Sequence, residues 1–329
     1  MSAVTVVSAG TPDRRRAAHP ARALARAVLR PHQSALWFWG LLVALGGGGL
    51  LWAAGPGYDA VWDAYLKSNC READYCDMGP AYQHYDLVVG LAPAALTVAP
   101  LLIGAWAGAS LIGRELESGT AKLAWTQSVT PARWLAAKLA VPAALIVSGT
   151  VLLTLLNRLV WWREERLRQA VGTRDWFDFT TFTGNGTLAT AYALFALAVG
   201  VVAGLLLRRS LPALAVGFAG TAALVGVLQG NRDHLWPVAE TRATASEPQW
   251  TGMLVDRGVI TASGDRISNS LCEEFDCGRG DVVGYWAQSH PASHFWPLQL
   301  VETGIVLAVT ALLVLASFHL LRRRTGGAA

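Results

Sequence analysis

Hydrophobic residues make up 53% of this 329-residue chain and charged ones only 15%, against about 25% charged in an ordinary soluble domain. The mean hydropathy is +0.35, and the balance excludes an ordinary soluble domain in favour of a membrane protein. The formal net charge is +4, but the basic residues form no single stripe, which argues against a nucleic-acid partner.

Residues 1–33 read as a polar tail containing Arg14, Arg15 and Arg16. Within it Arg22, Arg26 and Arg30 are four apart and share one helical face. Leu24 and Val28 point away from them, whereas Leu29 falls near the arginines. This segment is only loosely amphipathic, and is either an elbow on the inner-leaflet surface or a charged flank with no further role. No separate signal peptide precedes the first apolar run, which is long enough to span and act as the insertion signal.

Six apolar segments follow, at about 35–54, 87–112, 134–156, 187–207, 211–228 and 298–320. Each approaches the roughly 20 residues that a spanning helix needs. The first five, with their loops at 55–86 and 158–186, make a membrane unit over 34–228. Residues 229–297 form an enlarged outer region, and 298–329 carry the last span and a basic tail. If both termini are inside, the cytoplasmic parts, counting Lys138, hold 15 of the 27 Lys and Arg and 3 of the 23 Asp and Glu. The other side holds 12 and 20. The excess of Lys and Arg on the inner side fixes that orientation. The expected fold is therefore an all-α polytopic membrane protein with six transmembrane helices and both termini cytoplasmic.

Along the first span, Trp37, Trp39 and Trp52 sit at belt positions. Gly46 to Gly49 mark either a close packing surface or a hinge. Pro93 and Pro100 bend the second span. Gly200 and Gly204 give a small-xxx-small spacing in the fourth. Cys70, Cys76, Cys272 and Cys277 all fall on the outer side, where disulfides persist. Of the three possible pairings, the local one, Cys70–Cys76 and Cys272–Cys277, is expected. Glu164 and Glu165 lie beyond the third span and read as solvated charges, with adjacent side chains pointing apart. The region 229–297 has a weak core pattern and is expected to be held by its cysteines and the membrane domain. His290 and His294 are four apart, but Pro291 separates them and no third metal ligand is evident. Glu302 is the one acid inside a span, about one turn from its outer boundary. It reads either as a snorkelling or locally hydrogen-bonded side chain or as part of an intramembrane polar site.

The chain has no GxxxxGK[ST] loop, HExxH pair or GxSxG elbow, so it shows no nucleotide, zinc or serine-nucleophile motif. What stands out is the polar stretch from Arg114 to Lys138, RELESGTAKLAWTQSVTPARWLAAK, between the second and third spans. Thr130-Pro131 suits an N-cap followed by a proline in the first turn. A short helix held here is placed to receive force from a soluble partner, or is an ordinary connector.

This stretch resembles the first cytoplasmic loop of ABC-2 type exporter permeases, particularly the actinobacterial ones. The shared features are Glu115-Leu116-Glu117-Ser118-Gly119-Thr120, the apolar step from Leu123 to Gln127, Ser128, Arg133-Trp134 and Lys138. The resemblance implies a coupling helix and a non-catalytic permease of the bacterial cell membrane. Its partners would be two copies of a separate ATPase, which carry ATP and Mg2+, and a second permease in a homodimer, all within membrane lipid. The chain itself would hold no cofactor, and the assembly would export an amphipathic or hydrophobic substrate by alternating access. A structural, sensory or assembly protein is the alternative. The implied coupling residues are Glu115, Glu117, Gly119, Thr120, Leu123, Trp125, Gln127, Ser128 and Arg133. Glu115 and Glu117 would orient the loop or meet basic groups on the ATPase.

Overall fold

The computed structural model describes residues 33–68, 70, 77–121, 125, 129–172, 174–244, 246–271 and 280–325. The expected tail and elbow, together with Leu123, Gln127, Ser128, Cys76, Cys272 and Cys277, lie outside them.

Six helical segments are long and apolar enough to cross a membrane. They are α1 (Gln33–Trp52), which continues through a π-helical turn into α2 (Tyr58–Lys67), then α3 (Gly79–Glu117), α4 (Pro131–Arg163), α7 (Leu188–Leu207), α8 (Ser210–Gly230) and α9 (Phe295–Arg324). Two short helices, α5 (Glu165–Val171) and α6 (Phe179–Gly184), fill the connection between α4 and α7. Several helices outrun the apolar runs. The first was expected to end near residue 54, but only Gly55 leaves helical geometry (φ −119°, ψ −108°) beside Pro56. Helix resumes at Tyr58, where burial of Tyr58, Val61 and Tyr65 stabilises an amphipathic extension.

The bundle is centred on α7, with 67% of its apolar window buried against 17–33% in the other spans. The reason is side-chain size. A Cβ on Gly108 would lie 2.4 Å from the Leu197 carbonyl oxygen, and one on Gly200 would lie 2.8 Å from the Ala105 oxygen. These glycines bring the α3 and α7 backbones into contact, as small residues do between membrane helices. The glycines of α1 also pack: a Cβ on Gly46 would meet Leu153 of α4 at 3.3 Å, and one on Gly49 would meet Val88 of α3 at 3.4 Å. Trp39 Nε1 donates to the Leu145 carbonyl (3.1 Å) and ties α1 to α4.

Alternation of the spans gives the bundle two ends. At the hairpin end, α3 meets the α7–α8 turn through Glu117 and Ser210, and Arg324 of α9 donates to the Leu205 carbonyl. The opposite, sheet end corrects the reading of 229–297 as a weakly patterned cap. It carries a four-stranded antiparallel sheet in the order β1–β4–β2–β3: β1 (Ala239–Ala243), β2 (Met253–Thr261), β3 (Arg266–Ser268) and β4 (Val282–His290). Val259, Trp286 and Ala287 are buried in it. Gly258 is required at its place, because a Cβ there would sit 1.9 Å from the Ile267 carbonyl oxygen. Arg266 on one edge strand reaches Glu240 on the other with two hydrogen bonds (2.8 and 2.9 Å), and its guanidinium lies 5.8 Å from the Trp286 ring centroid.

Candidate functional site

The polar stretch at the hairpin end is tied into the helices around it. The α3 helix runs to Glu117, so Glu115 and Glu117 occupy its last turn rather than a free loop. Glu115 forms an ion pair with Lys138 of α4, which is only 4% exposed, and accepts a hydrogen bond from Trp134 Nε1 (3.0 Å). A lysine buried among apolar helices requires such a partner. Glu117 accepts from the Ser210 backbone N–H (3.3 Å) and hydroxyl (3.2 Å) at the start of α8. Both acids are thus engaged within the chain.

Beyond α3 the chain turns at Gly119, whose φ is +75°. That region favours glycine because a Cβ is strained there. Thr120 is hydrogen-bonded with Ser118 (2.9 Å) and donates to the Glu115 carbonyl (3.4 Å). Trp125 packs edge-on against Trp134 with ring centroids 5.7 Å apart. Thr130 caps α4 by accepting from the Arg133 N–H (3.3 Å), and Pro131 stands in the first turn, as the sequence indicated. The Arg133 side chain is exposed. One apolar cluster, including Ile112, Ala121, Trp134, Val201, Leu205 and Leu321, joins this stretch to α3, α4, α7 and α9. Sequence reasoning placed Lys138 at the end of the stretch and among the features of the resemblance without giving it a partner, and it missed Ser210. The signal for Lys138 was available, since a charge inside an apolar run needs a partner.

Two further polar clusters lie at the sheet end. Glu302 is 0% exposed, which overturns snorkelling. Arg232, just beyond α8, donates to both its oxygens (2.9 and 3.2 Å), and the Tyr192 hydroxyl donates to Oε1. One turn earlier on α9, buried Gln299 donates from Nε2 to the Phe182 carbonyl (2.5 Å) and accepts from the Thr187 N–H (3.1 Å). Three elements, α6, α7 and the turn after α8, therefore converge on the first turns of α9.

Glu164 corrects the reading of that region as solvated. It is 1% exposed, while the Glu165 side chain is 57% exposed. The Glu164 carboxylate accepts from Arg174 (2.6 Å) and from the Tyr85 hydroxyl (3.0 Å), with Arg168 at 3.6 Å. Burial pushes its carboxyl above the usual range, while Arg174, Tyr85 and Arg168 pull it back. Burial likewise lowers the Arg168 guanidinium, against the pull of Glu164. The φ of Arg174 is +52°, and its side chain also donates to the Val89 carbonyl (2.8 Å).

His290 and His294 do meet, with Nδ1 atoms 3.0 Å apart, and His290 Nε2 faces the Asp233 carbonyl at 3.0 Å. Among the described residues no group of three or more His, Cys, Asp or Glu is arranged to hold a metal. Cys70 is the one cysteine among the described residues, and it is packed against the α2–α3 cluster.

The chain is a multi-pass membrane protein built on a six-span helical bundle. Residues 40–231 match the ABC-2 membrane transporter related family. The chain belongs to that family, and the match runs from within the first span through the fifth. Neither a curated protein nor a solved structure matches it significantly.

Proposed function

We propose that the chain is the permease subunit of an ATP-driven exporter for an amphipathic or hydrophobic substrate. In this reading both termini and the hairpin end face the cytoplasm. A separate ATPase, in two copies carrying ATP and Mg2+, docks against residues 114–133, and two permease chains form the transport unit. The observation that carries the reading is the mechanical connection at the hairpin end. Glu115–Lys138 and Glu117–Ser210 join the polar stretch to α3, α4 and α8, so force applied there reaches three spans together. The chain has no nucleotide motif of its own, so differential work must come from a partner whose nucleotide states bind this face unequally. Trp125, Arg133 and the segment between them would meet the ATPase, with Glu115 and Glu117 holding that surface in place. With the sheet end outside, the expected pairs Cys70–Cys76 and Cys272–Cys277 would lie in the compartment where disulfides persist.

The test is purification of the native assembly, followed by reconstitution in vesicles. Copurification of an ATPase whose hydrolysis depends on this chain, with ATP-driven accumulation of a hydrophobic dye, supports the reading. A stable native assembly lacking any ATPase refutes it and favours a structural or sensory role. Labelling of a Ser128→Cys variant by an impermeant reagent in intact cells, in a background without the native cysteines, refutes the orientation.

A further inference from the structure

Near the sheet end of α4, Arg158 is held in an unusual setting for a membrane arginine. Its Nη1 donates to the Asn185 carbonyl (2.8 Å), and its guanidinium lies 4.6 Å from the Trp296 ring, 5.3 Å from Phe295 and 5.4 Å from Trp162. Among the described residues no carboxylate pairs with it. Glu165, the carboxylate that lines a cavity together with Arg158, pairs instead with Arg168 at 3.3 Å.

Two cavities share Arg158, Asn185 and Trp296. The one toward the sheet, about 240 Å³, is aromatic and polar, with Trp161, Arg168, Trp176 and Thr181 on its walls. The one toward the membrane interior, about 430 Å³, is a groove between α4, α7 and α9 lined by Val151, Leu155, Ala191, Leu194 and Leu307. Thr154 also lines it, and its hydroxyl oxygen is buried with no hydrogen-bond partner among the described residues. Thr154 is one helical turn from Arg158, about 6 Å deeper along the axis.

We infer that this groove binds one anionic membrane phospholipid from the leaflet at the sheet end. The phosphate meets the free guanidinium edge of Arg158, the ester oxygens meet the Thr154 hydroxyl, and an acyl chain fills the apolar groove. Charge complementarity selects the occupant. A guanidinium fixed by aromatic faces and one carbonyl still presents N–H groups in a fork that matches phosphate. The tryptophans around it mark the interfacial depth at which headgroups lie. A second copy of this chain covering the groove is the competing occupant, and it gives no reason for headgroup selectivity. The inference does not depend on the transport reading.

The experiment uses the full chain, purified in neutral detergent and equilibrated with phosphatidylglycerol and phosphatidylcholine of identical acyl chains. Lipid retained per chain is counted by native mass spectrometry. The expected preference for phosphatidylglycerol is about tenfold, on the scale of one charge-assisted contact. Arg158→Gln should reduce it below about twofold, while Arg209→Gln, at the opposite end, leaves it unchanged. Val151→Trp, on the exposed wall of the groove, should lower retention of both lipids and keep their ratio. Equal retention of the two lipids by the wild-type chain overturns the inference, as does a folded Arg158→Gln variant with the wild-type ratio. The wild-type comparison and Val151→Trp decide the matter even if Arg158→Gln does not insert. Retention that follows dimer content instead of headgroup assigns the groove to a second copy and overturns the lipid.

Discussion

Glu115 in the last turn of α3 and Lys138 in the second turn of α4 form an ion pair across the polar connection between two spans, with Trp134 donating to the same carboxylate. The pair closes the base of the connection. It ties the end of α3 to the start of α4 at that point.

Removing one member of this pair should cost more than removing both. Lys138→Met leaves the Glu115 carboxylate without its cation in a half-buried site, and about 1–3 kcal/mol of stability is lost. Adding Glu115→Gln to Lys138→Met should recover a large part, because no charge is then left unpaired. Thermal unfolding of the purified variants measures the cycle. Strict additivity of the two single effects contradicts a direct interaction.

The turn at Gly119 separates local strain from partner contact. Its φ of +75° and the open space around it mean that Ala meets strain without a clash. Gly119→Ala should destabilise by about 1–2 kcal/mol. Gly119→Asn should cost less, because Asn tolerates this region. Both variants are compared by thermal unfolding and by ATPase stimulation of the proposed partner. Ala and Asn variants of equal stability would show that the turn is not held in this conformation.

At the sheet end, Arg232 and Glu302 make a fully buried pair. Arg232→Met leaves Glu302 with Tyr192 alone and should cost about 3–5 kcal/mol, seen as loss of folded yield. Arg232→Met combined with Glu302→Leu should fold better than Arg232→Met alone. Tyr192→Phe removes one hydrogen bond to the carboxylate and should cost about 1–3 kcal/mol. Wild-type yield and melting for Arg232→Met would show that the pair does not form.

The sheet should weaken in acid through Glu240. The hydrogen bond from Arg242 does most to hold its carboxyl below the usual range; burial opposes it, and the hydrogen bonds from Arg266 add to the lowering. The contribution is therefore fully present above the ordinary carboxylate range and is lost as the pH falls through the depressed folded value. In that window Glu240 takes up a proton and the clamp from β3 to β1 opens. Hydrogen exchange of the β1 and β3 amides should rise there in the wild-type chain. In Glu240→Gln exchange is higher at neutral pH and responds less to acid. Identical pH profiles for the two proteins would rule out the clamp.

The sequence by itself determined the spans and the punctuation of the chain. Hydropathy over a window and a Thr-Pro helix start are local free-energy preferences. They survive whatever the neighbours are, which is why the six spans and the cap at Thr130 were legible. The tertiary structure decided which polar groups share a site. Glu302 meets Arg232 across 70 positions and Tyr192 across 110, and Glu164 meets Tyr85 across 79. No periodicity encodes such meetings, because they depend on which helices become neighbours, and that depends on the backbone contacts between α3 and α7 at Gly104, Gly108 and Gly200. The sheet escaped sequence reading for a related reason. Strand β1, Ala-Glu-Thr-Arg-Ala, has no apolar alternation, and it is held instead by pairing with β4 and by the reach of Arg266 to Glu240. Strand stability there comes from cross-strand partners distant in sequence, so only the assembled fold specifies it.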